Sequence, residues 1–158
     1  MGYTHYWYKL PELDQDIWFK FAHDFVKVLP HFYKKLDTET EAGQKFFING
    51  SELYMNGIGE ESHETFHLTR KVDEHREAKE GDEIFACCKT AEKEYDIAVC
   101  CALLIAKKHF GTKIKVSSDG SNEEWQEAKD LCQDILKYGK LFDISYETQN
   151  EHDTGVFL

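Results

Sequence analysis

Ile97–Ala106 reads Ile-Ala-Val-Cys-Cys-Ala-Leu-Leu-Ile-Ala, ten residues without a polar side chain. A membrane span needs about 20 apolar residues, so this run is too short to cross a bilayer. It predicts instead a helix buried on all sides inside a domain. Lys89–Asp96, just before it, carries Lys, Thr, Glu, Tyr and Asp. The first-turn N–H groups of a buried helix point outward, so a polar site is expected at that end.

A chain of 158 residues fits one domain with a full core. We expect residues 1–147 to form it and 148–158 to be a polar C-terminal tail. The net charge of −11 argues against general binding of nucleic acid or anionic membrane, because phosphate neutralisation needs a basic face. The first residues lack a basic stretch followed by an apolar one, so no leader is expected. Gly2 lacks the Ser or Thr that N-myristoylation wants at position 6, where Tyr6 stands. The five cysteines are odd in number and include two vicinal pairs, Cys87-Cys88 and Cys100-Cys101. They read as reduced, inert packing groups in a cytoplasmic protein, and their spacing is not that of a zinc knuckle.

Tyr3–Tyr8 reads as a strand with Tyr3, His5 and Trp7 on one face. Apolar residues at three- and four-residue steps predict a helix over Asp14–Tyr33, kinked or ended by Pro30. Asp37–Gln44 reads as a polar connector. Phe46–Ile48 and Leu53–Met55 pair around Asn49-Gly50, and His63–Leu68 is a further strand. Lys71–Gly81 is a solvated charge run. Ile84–Cys88 leads into the buried helix, which ends at Gly111. Lys113–Val116 is a strand. Ser121–Glu124 is a capping box for a helix reaching Tyr138, and Leu141–Tyr146 is a final strand. The order β-α-β-β-β-β-α-β-α-β predicts an α/β (α+β) single-domain sandwich. It has a mixed central β-sheet, one fully buried helix and two amphipathic helices. The unit Ile84–Val116 is expected to be a parallel crossover, with Lys89–Asp96 and Ser117–Gly120 at one sheet edge.

Met1-Gly2-Tyr3-Thr4-His5-Tyr6-Trp7, Asn56-Gly57, His63-Glu64-Thr65-Phe66, Cys88-Lys89-Thr90, Tyr95-Asp96 and Ser118-Asp119-Gly120 together resemble a family of small proteins from bacterial, phage and viral sequences. That family has no established activity. The resemblance implies that the polar clusters belong to one site, and it names no ligand. The family has Pro before its Tyr-Asp pair, where this chain has Glu94, and it lacks the second histidine of His63-Glu64-Thr65-Phe66-His67.

That last segment matches the H-E-x-x-H zinc pattern, which requires a helix. On a strand the two histidines would stand about 13 Å apart, so no metal is assigned there. Lys89 and Thr90 are candidate anion contacts, set against a lysine that simply reaches solvent. Tyr95 and Asp96 are either a helix cap or a hydroxyl acceptor and base. Ser118 and Asp119 form a turn or part of the same site. Tyr3, His5 and Trp7 would supply an aromatic wall. The leading expectation is a small-molecule-binding domain for a small anionic, nucleotide-like ligand, with sequestration of a nucleotide signal as one role. The alternative is a hydrolase or transferase acting on a nucleotide or sugar-phosphate, with His5, His63 and Glu64 as catalytic candidates, although no G-x-S-x-G motif is present. A structural or interaction module is the second alternative. No cofactor and no membrane partner are expected, and homo-oligomerisation is left open.

Overall fold

A computed structural model describes residues 2–38, 45–72, 78–79 and 81–149. Most of the connector 39–44, the charge run 73–77 and the tail from residue 150 lie outside the described residues. The elements run β1 (Thr4–Lys9), α1 (Gln15–Val28), β2 (Phe47–Ile48), β3 (Glu52–Met55), β4 (Phe66–Thr69), β5 (Ile84–Lys89), α2 (Asp96–Phe110), β6 (Ile114–Ser118), α3 (Gln126–Leu136) and α4 (Ile144–Gln149). The α+β class expected from the sequence is what forms.

α2 is the apolar helix. Its buried set runs from Ala98 to Lys107 without a break, and Phe110 adds to it. Burying a Leu, Ile, Val or Phe side chain is worth about 1.5–3 kcal/mol. Val99, Leu103, Leu104, Ile105 and Phe110 therefore far outweigh the burial of one amine at Lys107. That amine is also satisfied: Nζ donates to Gly111 O at 3.0 Å and Ile114 O at 2.9 Å, and lies 3.7 Å from Glu147 of α4. α2 packs against α1, α3 and β6. Gly111 ends it at φ 56°, ψ −122°, a conformation that other residues rarely adopt.

The strands form two separate three-stranded sheets, β5-β1-β6 and β2-β3-β4. Every named pairing is antiparallel, in place of one mixed sheet. β1 lies between β5 and β6, so those two run in the same direction without touching. The expected crossover therefore spans one intervening strand. The shared edge survives: Lys89 pairs with Thr4 and Ser118 pairs with His5, so both strands end beside the start of β1.

The expected last strand is instead α4. Asp143 Oδ1 accepts from Ser145 N at 3.0 Å and Tyr146 N at 3.1 Å, which supplies the two first-turn donors with a cap. Local capping overrides the strand-like alternation of Leu141–Tyr146. The helix carries order past residue 147, where the tail was expected to begin, and Thr148 Oγ1 accepts from Ser118 N at 3.1 Å.

Among the described residues no helix is long and apolar enough to cross a membrane.

Candidate functional site

The alternation of β1 sends His5 and Trp7 inward and Thr4, Tyr6 and Tyr8 to the other face. His5 is fully buried between Cys88 of β5 and Ser118 of β6. Tyr3 and Trp125 meet it edge-on, each with ring centroids 5.2 Å away. Its Nδ1 lies 2.8 Å from Ser118 Oγ, and its Nε2 lies 2.7 Å from Asp96 Oδ1.

Ser118 fixes the imidazole tautomer. A serine hydroxyl accepts two hydrogen bonds and donates one. Ser118 Oγ accepts from Gly120 N at 2.8 Å and from Trp125 Nε1 at 3.2 Å. Its single proton therefore goes to His5 Nδ1. The ring proton is then on Nε2, donated to Asp96, an assignment made from the network.

Asp96 occupies the first turn of α2, where a negative charge suits the helix dipole. Its carboxylate does not cap the helix. Oδ1 accepts from His5 Nε2–H and from Thr90 Oγ1 at 2.5 Å, and Oδ2 accepts from Cys100 Sγ at 3.5 Å. Three donors thus hold it on the protein side, while its side chain stays 18% exposed.

That exposed edge forms part of a pocket of about 360 Å³. Tyr3, Asp96 and Cys100 line it together with Ile97 and Ala128. Its charged lining is Glu92, Glu94, Asp96, Glu124 and Glu127 against Lys35 and Lys93, five carboxylates to two ammoniums. A side-chain hydrogen bond with Glu124, then burial and the Glu124 charge, hold the Glu92 carboxyl above its usual range. Burial, followed by Asp96, Cys100, Glu124 and Glu92, pushes the Tyr3 hydroxyl well up. Burial and Asp96 likewise push the Cys100 thiol well up.

The loop into α2 forms the pocket's edge and is strained. Ala91 and Glu92 adopt φ of 53° and 57°, the left-handed region, in succession. Each such residue costs about 1–2 kcal/mol relative to the right-handed region. Surrounding bonds hold them: Ala91 N donates to Tyr3 O at 3.2 Å and Glu94 N to Glu61 Oε1 at 3.0 Å. Gly120 must lack a side chain, because a Cβ there would stand 2.2 Å from the Tyr3 hydroxyl.

Of the residues expected to form one site, Tyr3, His5, Thr90, Asp96 and Ser118 do come together. Lys89 pairs with Thr4, on the strand face opposite His5, and is not part of this pocket. Asp119 also lies elsewhere: it accepts from Thr4 N at 3.0 Å and Tyr6 Oη at 3.2 Å. Trp7 is buried in the core against Phe66, and Tyr95 is buried with its hydroxyl donating to Glu64 O. His63 and Glu64 act as a clasp. His63 Nδ1 donates to Lys89 O at 2.8 Å, and Glu64 Oε1 accepts from Lys89 N at 2.8 Å. His67 is on β4 and bonds Glu52 at 2.6 Å, so the two histidines of H-E-x-x-H have separate partners and no helix between them.

Sequence reasoning missed Cys100 as a site residue. It lies one turn along α2 from Asp96, a spacing that places both on one helix face, and that was the available signal. It missed the acidic rim for want of knowing that α3 and the turn before it bring Glu127 and Glu124 to the loop.

Compared with protein-family models, curated proteins and solved structures, the chain matches none.

Proposed function

We propose that this chain is a small-molecule-binding domain whose pocket accepts a small organic cation bearing an amine or guanidine. The observation that carries this reading is Asp96: a carboxylate held from behind by His5, Thr90 and Cys100, with its exposed edge facing a pocket. A fixed carboxylate in a partly desolvated pocket pairs well with a donor cation. The rim reinforces this, since carboxylates outnumber ammoniums there by five to two. Tyr3 lines the pocket and supplies an aromatic contact for the apolar or cationic part of the ligand. The phosphate of an anionic, nucleotide-like ligand would meet Glu92, Asp96 and Glu124 rather than Lys89, so a cation is the better match. An enzymatic reading with Cys100 as nucleophile would need a thiolate, whereas burial and Asp96 favour the thiol.

Isothermal titration against a panel of diamines, guanidines, aminosugars and nucleotides tests the proposal. Binding of at least one cationic compound is expected, with loss in Asp96→Asn and little change in Lys89→Ala. Binding confined to nucleotides, or an organic cation bound equally by Asp96→Asn, would overturn it.

A further inference from the structure

Asp96 and Cys100 line the same pocket and His5 is buried behind them; His5 Nε2, an Asp96 oxygen and Cys100 Sγ all lie within 4.8 Å of one another. We propose that these three side chains form a site for a thiophilic divalent metal of the zinc class, with its fourth coordination position open to the pocket. The proposal shares Asp96 with the reading above and stands whether or not an organic cation binds.

The spacing supports it. Zinc binds histidine nitrogen and carboxylate oxygen at about 2.0–2.1 Å and thiolate sulfur at about 2.3 Å, so a tetrahedral site has N···S and O···S edges of about 3.6 Å. Here His5 Nε2 to Cys100 Sγ is 3.6 Å and Asp96 Oδ2 to Cys100 Sγ is 3.5 Å. Two edges are already in place. The 2.7 Å contact of His5 Nε2 is to the other carboxylate oxygen, Oδ1, with a proton between them; with Oδ2 as the metal ligand, Oδ1 stays with Thr90.

The surrounding shell fits as well. Ligating histidines have their second nitrogen hydrogen-bonded, and ligating carboxylates are themselves hydrogen-bonded. Ser118 backs His5 Nδ1 and Thr90 holds Asp96 Oδ1. A set of one imidazole, one carboxylate and one thiolate selects zinc or cobalt over magnesium or calcium. Three protein ligands with an open position are the pattern of zinc sites that take an exogenous ligand.

The protons balance. Metal on Nε2 requires the ring proton to move to Nδ1, and Ser118 then accepts it by turning its own hydroxyl away. The bond from Trp125 Nε1, the longer of the two that Ser118 accepts at 3.2 Å, is the one that yields. The ring changes tautomer without net loss. The Cys100 S–H bond breaks as the S–metal bond forms, so one proton is released per metal.

Cobalt(II) titration of the full chain reads the site directly. One equivalent should give a near-ultraviolet thiolate-to-cobalt charge-transfer band with tetrahedral visible bands, displaced by zinc, with one proton released. The band should vanish in Cys100→Ala and persist in Cys87→Ser, which changes the exposed cysteine. If Cys100→Ala fails to fold, Asp96→Asn serves as the second variant and should lose the stoichiometric complex. Thr90→Val should weaken affinity by about 10- to 100-fold. No band at one equivalent, or a band that survives Cys100→Ala or Asp96→Asn, overturns the metal site. Cobalt binding without any organic cation would sink only the amine reading, and amine binding without the band would sink only the metal.

Discussion

Ser118→Ala is the sharpest test of the network behind the pocket. Removing one hydroxyl strands three partners: His5 Nδ1, Trp125 Nε1 and Gly120 N. His5 and Trp125 are both fully buried, so water cannot replace what they lose. Each buried unsatisfied group costs about 1–3 kcal/mol. Gly120 is only partly buried and should contribute little. The expected loss is therefore about 2–6 kcal/mol, a large share of a typical total of roughly 5–15 kcal/mol. At about 2–4 °C per kcal/mol for a domain of this size, Tm should fall by roughly 4–24 °C. Urea unfolding of the variant beside wild type measures this, with an unchanged slope confirming that only stability moved. Ser51→Ala is the control: its side chain is exposed in the turn between β2 and β3, and the change should stay within about 0.5 kcal/mol. Nitrogen-15 spectra of the wild-type imidazoles supply an independent reading, with His5 protonated at Nε2. A loss below about 1 kcal/mol, where a single buried unsatisfied group already starts, would refute the stabilising role of the network, and a wild-type His5 protonated at Nδ1 would refute the tautomer assignment.

Gly57→Ala should be among the most damaging single changes, because the new Cβ would stand 2.0 Å from the Glu61 carbonyl oxygen, a backbone atom. A loss of about 3 kcal/mol, the upper part of the usual overpacking range, is expected in thermal unfolding. Ala91→Gly should act the other way. It relieves a left-handed penalty of about 1–2 kcal/mol and adds about 0.5–1 kcal/mol of chain entropy loss, so Tm should hold or rise slightly; a fall of several degrees would contradict the strain. Asp24 is raised by burial but lowered overall, by hydrogen bonds from Tyr138 and His109 and by the charges of His109 and Lys27. Its stabilisation is therefore full above its unfolded value of 3.8 and is lost as pH falls through its lower folded value. Tyr138→Phe should cost about 1.5 kcal/mol at pH 7, and the gap to wild type should shrink in acid unfolding below pH 3.8.

Much of the fold was legible because it rests on local signals. The apolar run of α2, the Asn49-Gly50 turn and Gly111 each carry their own physical reason. So does the capping box, in which Glu124 N donates to Ser121 Oγ at 3.3 Å and Ser121 N to Glu124 Oε1 at 3.1 Å. What failed was non-local. Nothing in the β2–β3 hairpin or in β4 states that these strands form a sheet of their own rather than joining β1, since sheet membership is decided by packing between distant segments. α4 was misread because Leu141–Tyr146 alternates like a strand, while the deciding feature was one carboxylate, Asp143, placed to cap.

The site was legible in its location and illegible in its sign, and strand parity explains both. Successive residues of a strand face opposite ways, so the motifs His5, Cys88-Lys89-Thr90 and Ser118-Asp119 all reach one edge yet divide between its two faces. Lys89 and Asp119 fall on the outer face, and His5 and Ser118 on the inner. The one cation that suggested an anionic ligand therefore leaves the pocket. The side chains that stay are a carboxylate, an imidazole and, from α2, a thiol. Around them the chain breaks its own local rules within a few residues: two left-handed non-glycine residues and a fully buried imidazole. Departures of this kind persist only where the surrounding structure overdetermines them, and they gather at binding and catalytic sites. A carboxylate-rimmed pocket is relieved by positive charge, whether it arrives as an ammonium or as a metal ion.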